Sequence, residues 1–417
     1  MAEGVRLPSY FKKTLSAEST NMLMIWTFFM GLALIVIYIQ GVIEARAYPM
    51  NSFLPHRAFG DFYGTFNQYV QAHGLGGIGY GLAYFPAIYL PIQFLTFLTT
   101  NPVFAMWMSQ SVWFLGSTTT IYYTLKSKGF LVSAVGVVLI TFSYPSLFSY
   151  NTGNIEAWVG FLLLLAAFFA FRSSWLGFGL IIGVAGGYKG MPLLFLIIPW
   201  IVCEWRVAIK TTLVSISTTI TLTIAALTVL PGGIIGSGIN GVRQAISAIL
   251  RSQQMYSALM VDTSAGTHYG HSFLNAVHAI WGLQVMPSSI WGPTLFILIG
   301  GFSLVVLLKL KSLESPLWMI FAVVGSAGCL MPATSTDYKL LYLAPSILIF
   351  LASANRTSKW GAMPIYLVIF AMSPKPWLYV GTDPYGNASV YLTAASLILI
   401  PLVCLTVGRW GKHFRYF

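Results

Sequence analysis

Residues 57–91 read RAFGDFYGTFNQYVQAHGLGGIGYGLAYFPAIYLP. The stretch follows the first long apolar run of the chain, Met22 to Val42. It opens on one acid, Asp61, set among Phe59, Phe62 and Tyr63. An amphipathic piece comes next, then a glycine-rich turn through Gly74, Gly76, Gly77, Gly79 and Gly81. A Tyr84-Phe85-Pro86 step leads into further apolar sequence. The whole chain has ten acidic residues, so a carboxylate at the edge of an apolar run marks a polar loop with a purpose.

Composition sets the class of the chain. Its 417 residues are 57% hydrophobic and 8% charged, with mean hydropathy +0.77, whereas soluble domains carry roughly 25% charged residues. Apolar runs of about 20 residues, the length that crosses a bilayer, recur from end to end. They lack the alternating polarity of a β-barrel. The expected fold is an all-α polytopic membrane protein of one domain, with about twelve crossings.

The net charge of +12 does not point to nucleic acid. Lys and Arg stand singly or in pairs at span ends, as topology signals and anionic-lipid contacts do. Residues 1–22 read as a cytoplasmic tail, followed by a span long enough to remain as an anchor. Cys203, Cys329 and Cys404 have no spacing that suggests a disulfide or a metal, and no metal is expected.

Two long loops are predicted on the outer face. The first, 44–100, includes Leu82–Thr99, read as a re-entrant helix because it is short and holds Pro86 and Pro91. The second, 231–287, contains the amphipathic piece VRQAISAILRSQQMY. With the N-terminus inside, Lys126/Lys128, Arg172, Arg206/Lys210, Lys309/Lys311, Arg356/Lys359 and Arg409/Lys412/Arg415 all fall on the cytoplasmic side. Counting Leu82–Thr99 as a full crossing would place the first two groups outside. No internal repeat is visible, which speaks against an inverted-repeat transporter.

Charge at membrane depth is costly and marks functional candidates. On the outer side these are Asp61, Glu156, Lys189, Asp337 and Lys339. Each has a plainer reading. Asp61 could cap a helix, Glu156 could favour a helix N-terminus, and Lys189, inside GLIIGVAGGYKGMPLLFL, could snorkel to water. Arg243 and Arg251, eight residues apart on one helical face, could anchor to anionic lipid. His268 and His271 are a weak pair without metal spacing. Tyr63, Tyr80 and Tyr84 could stack on sugar rings, or simply pack at the interface. Asn355-Arg356-Thr357 fits a glycosylation sequon but falls on the predicted cytoplasmic side.

The run GDFYGTFNQYVQ, then AYFPAIYLP, TGNIEAWVGFLLLLAAFFAFR and GLIIGVAGGYKGMPLLFLIIPWIVCEWR, in that order, resembles glycosyltransferase family 87. These are membrane enzymes of the GT-C fold, typified by actinobacterial mannosyl- and arabinofuranosyltransferases. The resemblance covers roughly residues 20–210, and the rest of the chain by topology alone. Where the family has Gly-Gln, this chain has Gly153-Asn154.

The resemblance implies an inverting transfer of a sugar from a polyprenyl monophosphate carrier to a lipid-linked or cell-envelope glycan acceptor. The reaction would occur on the periplasmic or exterior face of the plasma membrane. Asp61 matches the family's first-loop acid, which acts as base, and Lys189 matches the lysine of its G-x-x-x-G…K-x-x-P run. Residue chemistry agrees: attack by a hydroxyl needs one base. The departing phosphate leaves unprotonated if cations stabilise it. Lys189, Arg243, Arg251 and Lys339 are the candidate cations, and Glu156, Asp337, Tyr63, Tyr84, His268 and His271 are further candidates for substrate contact. The alternative is a transporter or flippase of a lipid-linked or polar substrate.

The predicted topology has a direct test. Gly76→Cys and Ser237→Cys should react with an impermeant thiol reagent added outside, and Ser127→Cys should not. Labelling of Ser127→Cys from outside would refute the re-entrant reading of Leu82–Thr99.

Overall fold

Phe62, Phe66 and Tyr69 recur at helical spacing within the quoted stretch, and they form the buried face of helix α1 (Gly60–Gln71). Gly64, Gln68 and Gln71 face outward. The computed structural model describes residues 60–71, 73, 84–230, 272–281, 288–333, 337–353, 361–373 and 388–413, with isolated positions at 247, 250, 251, 254, 270 and 335. The expected first span, most of the second loop, Arg243, His268, His271 and the sequon at 355–357 lie outside the described residues.

After α1, a 3₁₀ turn at Pro86–Ile88 leads into α2 (Tyr89–Leu98). The two run as one apolar piece of 13 residues, a rise of about 20 Å where the hydrocarbon core needs about 30 Å. Helix α3 (Pro102–Leu125) starts at a well-made cap. Asn101 Oδ1 accepts from the backbone N–H of Val103 at 2.9 Å and of Phe104 at 3.3 Å, and Pro102 needs no partner in the first turn.

The expected single crossing Phe130–Phe148 is instead two helices, α4 (Phe130–Thr141) and α5 (Tyr144–Thr152), with a 57° bend between them. Pro145 has no N–H and cannot continue α4, yet it fits the first turn of α5. The Ser143 and Ser146 hydroxyls both donate to the freed carbonyl of Ile140. Gly153 then ends α5 at φ 64°, the left-handed conformation glycine adopts at a helix C-terminus.

Helices α6 (Glu156–Phe171) and α7 (Trp175–Tyr188) follow, joined at Arg172–Ser174. Beyond α7 the chain passes through Lys189 and a 3₁₀ helix (Met191–Leu196) into α8 (Ile197–Val202). It turns back on itself here, because a Cβ at Gly186 would lie 2.5 Å from Leu193 Cδ2. Helix α9 (Trp205–Val229) lies hard against α7. Cβ atoms at Gly179 and Gly183 would sit 2.5 Å from the carbonyl oxygens of Thr211 and Ser215. Thr219 Oγ1 donates across this seam to Gly183 O at 2.9 Å. This is small-residue packing of the kind that joins membrane helices without a hydrophobic driving force.

The second half contains α10 (Phe273–Trp281), α11 (Ser288–Ser312), α12 (Leu317–Leu330), a 3₁₀ helix (Asp337–Leu343), α13 (Ala344–Ser353), α14 (Met363–Met372) and α15 (Ala388–His413). Every residue of α12 and α13 is buried, so these helices, apolar on all faces, form the centre. Among the described residues three helices are long and apolar enough to cross a membrane: Trp205–Val229, Ser289–Ser312 and Tyr391–Arg409. The bent pair α4–α5 would make a fourth if it forms one span. Several shorter apolar helices accompany them. The long helices expose Leu213, Ile220, Ile224, Ile297 and Val305. Such outward apolar faces mark a membrane-embedded helical protein.

The glycine seam yields a testable consequence. Gly183→Val must push α9 away by its backbone, so folded yield and thermal stability in detergent should fall sharply. Gly301→Ala should be tolerated, because its Cβ would meet nothing within 4 Å. Equal stability of the two variants would show that the seam is not a close contact.

Candidate functional site

Lys189 stands where α7 ends. Its backbone is extended (φ −149°, ψ 139°), while its N–H still donates to Ala185 O at 2.9 Å. Its ammonium donates to Glu156 Oε1 at 2.6 Å, an ion pair between residues 33 apart in sequence. Glu156 is 0% exposed and the Lys189 side chain 21% exposed. Glu156 begins α6, where the helix dipole favours a carboxylate. Its N–H is held by Asn154 Oδ1 at 2.9 Å. The Gly153-Asn154 pair therefore has a local role here: the glycine turns the chain and the asparagine caps α6.

The position of this pair along the bundle follows from helix length. Lys311 at the end of α11 donates to Trp200 O at 3.2 Å, which places the α8 end beside the cationic end of the molecule. Helix α7 has 14 residues and α6 has 16, rises of about 21 and 24 Å from that same end. Both stop short of a hydrocarbon core of about 30 Å. Lys189 and Glu156 therefore meet where two short helices end.

Aromatics surround the cation. Lys189 Nζ lies 5.3 Å from the Tyr84 ring centre and 5.4 Å from that of Tyr338, within the range of a cation–π contact. Tyr84 arrives from the quoted stretch. The Phe85 and Ala87 that follow it are seated against Gly190 and Gly187, where a Cβ would meet them at 3.0 and 3.2 Å. From the opposite half of the chain, the 3₁₀ helix Asp337–Leu343 brings Tyr338, Lys339 and Tyr342. Lys339 feels the charges of both Lys189 and Glu156, and its carbonyl accepts from Cys329 Sγ at 3.2 Å.

Two glycines of α12 admit Tyr342. A Cβ at Gly325 would lie 2.5 Å from its carbonyl oxygen, and one at Gly328 would lie 2.7 Å from its ring. The Tyr342 hydroxyl sits beside the Glu156 carboxylate, near enough to feel its charge. Tyr342 Oη and Glu156 Oε2 are both shut away from solvent.

The structure thus brings together four of the residues singled out from sequence: Glu156, Lys189, Lys339 and Tyr84. Asp61 is the second residue of α1, and Asp337 opens the 3₁₀ helix. The side chains of Asp61, Tyr63 and Asp337 lie outside what the structure describes. Arg251 is helical and exposed. Helix α1 nonetheless adjoins the site, because Phe62 shares a small apolar recess with Ile88, Ile92, Leu95, Ile155 and Trp158. On the same helix, Tyr69 stacks on Tyr89 and donates to Gln93 Oε1 at 2.5 Å. Burial pushes the Tyr69 phenol up to about 12, which keeps it a donor at ordinary pH.

Tyr338 and Tyr342 were not expected from sequence. The spacing Tyr-Lys-x-x-Tyr around Lys339 was the available signal. Among the described residues no group of three His, Cys, Asp or Glu side chains could hold a metal ion. No protein-family model, curated protein or solved structure matches the chain.

The ion pair predicts a thermodynamic signature. Glu156→Ala leaves Lys189 unpaired and should cost about 3 kcal/mol, the low end for a broken buried pair because the lysine is partly solvated. Glu156→Gln combined with Lys189→Met should recover much of that loss. A double-mutant cycle on thermal or denaturant unfolding measures the coupling, and a coupling near zero would show that the pair does not form.

Proposed function

We propose that this chain is an inverting glycosyltransferase of the GT-C type. It moves a sugar, mannose or another hexose or pentose, from a polyprenyl monophosphate carrier to a lipid-linked or cell-envelope glycan. The reaction takes place at the outer face of a plasma membrane that the chain crosses about twelve times. The observation that carries this reading is the Lys189–Glu156 pair, deep among apolar helices and ringed by Tyr84 and Tyr338. Charge at such a position is by default a candidate site for a ligand or a proton.

Each part of the reaction has a candidate. Asp61, on a helix that borders the recess beside Glu156, takes the proton of the acceptor hydroxyl as it attacks the anomeric carbon. The bond from that carbon to the carrier phosphate breaks, and the phosphate leaves as a monoester. Lys189 and Lys339, with Arg243 and Arg251 from the second loop, offer the cations that stabilise its charge. One carboxylate with cations suffices, unlike the carboxylate pair of a glycoside hydrolase.

Asp61→Asn tests the assignment. It preserves size and helix capping but cannot accept a proton. In membranes with equal amounts of enzyme, sugar transfer from a polyprenyl-phosphate sugar should fall about 10²–10⁴-fold, with carrier binding retained. Near-normal transfer would overturn Asp61 as base. Absence of transfer by the unaltered protein from every sugar carrier would favour a transporter or flippase.

A further inference from the structure

The short helix α8 packs against two of the long apolar helices, α9 and α11, at the cationic end of the bundle. The Trp200 indole donates from Nε1 to Thr212 Oγ1 of α9 at 3.1 Å, while the Trp200 carbonyl accepts from Lys311 Nζ of α11 at 3.2 Å. The charge of Lys311 is also felt at Cys203, just past α8. Three residues on, the Arg206 guanidinium lies 5.4 Å from the centre of the Trp205 ring. Lys311, Arg206 and both tryptophans are nonetheless exposed, the rings at 44% and 63%. One turn beyond Thr212, Ile216 is exposed on α9, and Leu304 and Leu308 are exposed on the Lys311 face of α11.

We propose that this corner binds an anionic phospholipid of the adjoining leaflet, with its phosphate held by Lys311 and Arg206 and its acyl chains on the apolar faces of α9 and α11. The inference is independent of the glycosyl-transfer reading and holds equally for a transporter. Both cations are placed in advance, one by a carbonyl of a neighbouring helix and one by a ring. Neither contact exhausts their donors, since an ammonium has three and a guanidinium five. A phosphate takes such donors as charge-assisted hydrogen bonds. Lys210 and Lys309 add positive charge nearby, while Glu204 and Glu314 subtract from it, so four exposed cations face two exposed acids. The exposed indoles mark the level where headgroups give way to hydrocarbon, and basic groups between helices at that level suit an anionic headgroup. A zwitterionic lipid would bring its own ammonium to the same cations. A soluble phosphate would leave the apolar faces unused.

The test titrates ligands onto the full chain in detergent and reads the first bound molecule by native mass spectrometry. The probes are dioleoyl phosphatidylglycerol, dioleoyl phosphatidylcholine and glycerol 3-phosphate. Phosphatidylglycerol should bind roughly tenfold more tightly than phosphatidylcholine. Lys311→Gln and Arg206→Gln should each lose roughly fivefold of that affinity, the worth of one cation near an anionic lipid surface, with phosphatidylcholine affinity unchanged. Lys126→Gln should lose nothing, because it removes a cation stacked on Tyr123 at 4.9 Å, just past α3.

Equal affinity for the two lipids would overturn the site. So would full phosphatidylglycerol affinity in Lys311→Gln and Arg206→Gln, or an equal loss in Lys126→Gln, which would reduce the effect to general surface charge. Glycerol 3-phosphate binding as tightly as phosphatidylglycerol would make the corner a phosphate site and not a lipid site. Should Lys311→Gln fold poorly, Arg206→Gln decides, since its stacking partner belongs to its own helix.

Discussion

A carboxylate shut away from solvent cannot stand alone. Glu156 depends on Lys189, and much of the surrounding architecture serves to keep the two within 2.6 Å. Desolvating a charge is so costly that removal of either partner is felt throughout the site. The start of α6, the end of α7 and the reversal into the 3₁₀ helix at Met191 all meet at this contact. The Glu156–Lys189 pair is thus held between two helix ends with Tyr84 and Tyr338 beside it.

Residues 57–91 showed part of this. The helical face of α1 follows from the spacing of Phe62, Phe66 and Tyr69, and its amphipathicity needs no partner to be seen. The placement of Lys189 at a reversal was equally legible, since a lysine inside an apolar run must end a helix or reach a partner. Its partner was not legible. Periodicity reports which residues are buried but not which of them meet, and Glu156 lies 33 residues away. Tyr338 and Tyr342 were hidden for a related reason: a seven-residue 3₁₀ helix has no α-helical period to reveal the face it presents. The break in α4–α5 was written in Ser143-Tyr144-Pro145-Ser146, but uniform apolarity on both sides masked it.

The two walls of the site are built differently. On one side the backbones of α7 and α9 touch through Gly179 and Gly183, with Thr219 bonded across. Contact of this kind leaves no space for rearrangement. On the other side α1 is attached by ring stacking, Phe62 and its apolar neighbours, and the Tyr69–Gln93 hydrogen bond. Side-chain contacts slide and repack more readily than backbone contacts. A bulky lipid-linked ligand would thus meet a fixed wall at the lysine and an adaptable one at α1.

The brevity of the central helices bears on how the chain enters the bilayer. Helix α12 has 14 residues, every one covered by protein, and α7 also has 14. Segments this short fall below the roughly 20 residues that partition on their own. Neither is well suited to membrane insertion as an isolated element during synthesis. Each needs its neighbours present: α6 and α9 for α7, and α11, α13 and α15 for α12. Assembly of the bundle and entry into lipid are then one coupled process, and defects in packing would appear as failed biogenesis before they appear as lost stability.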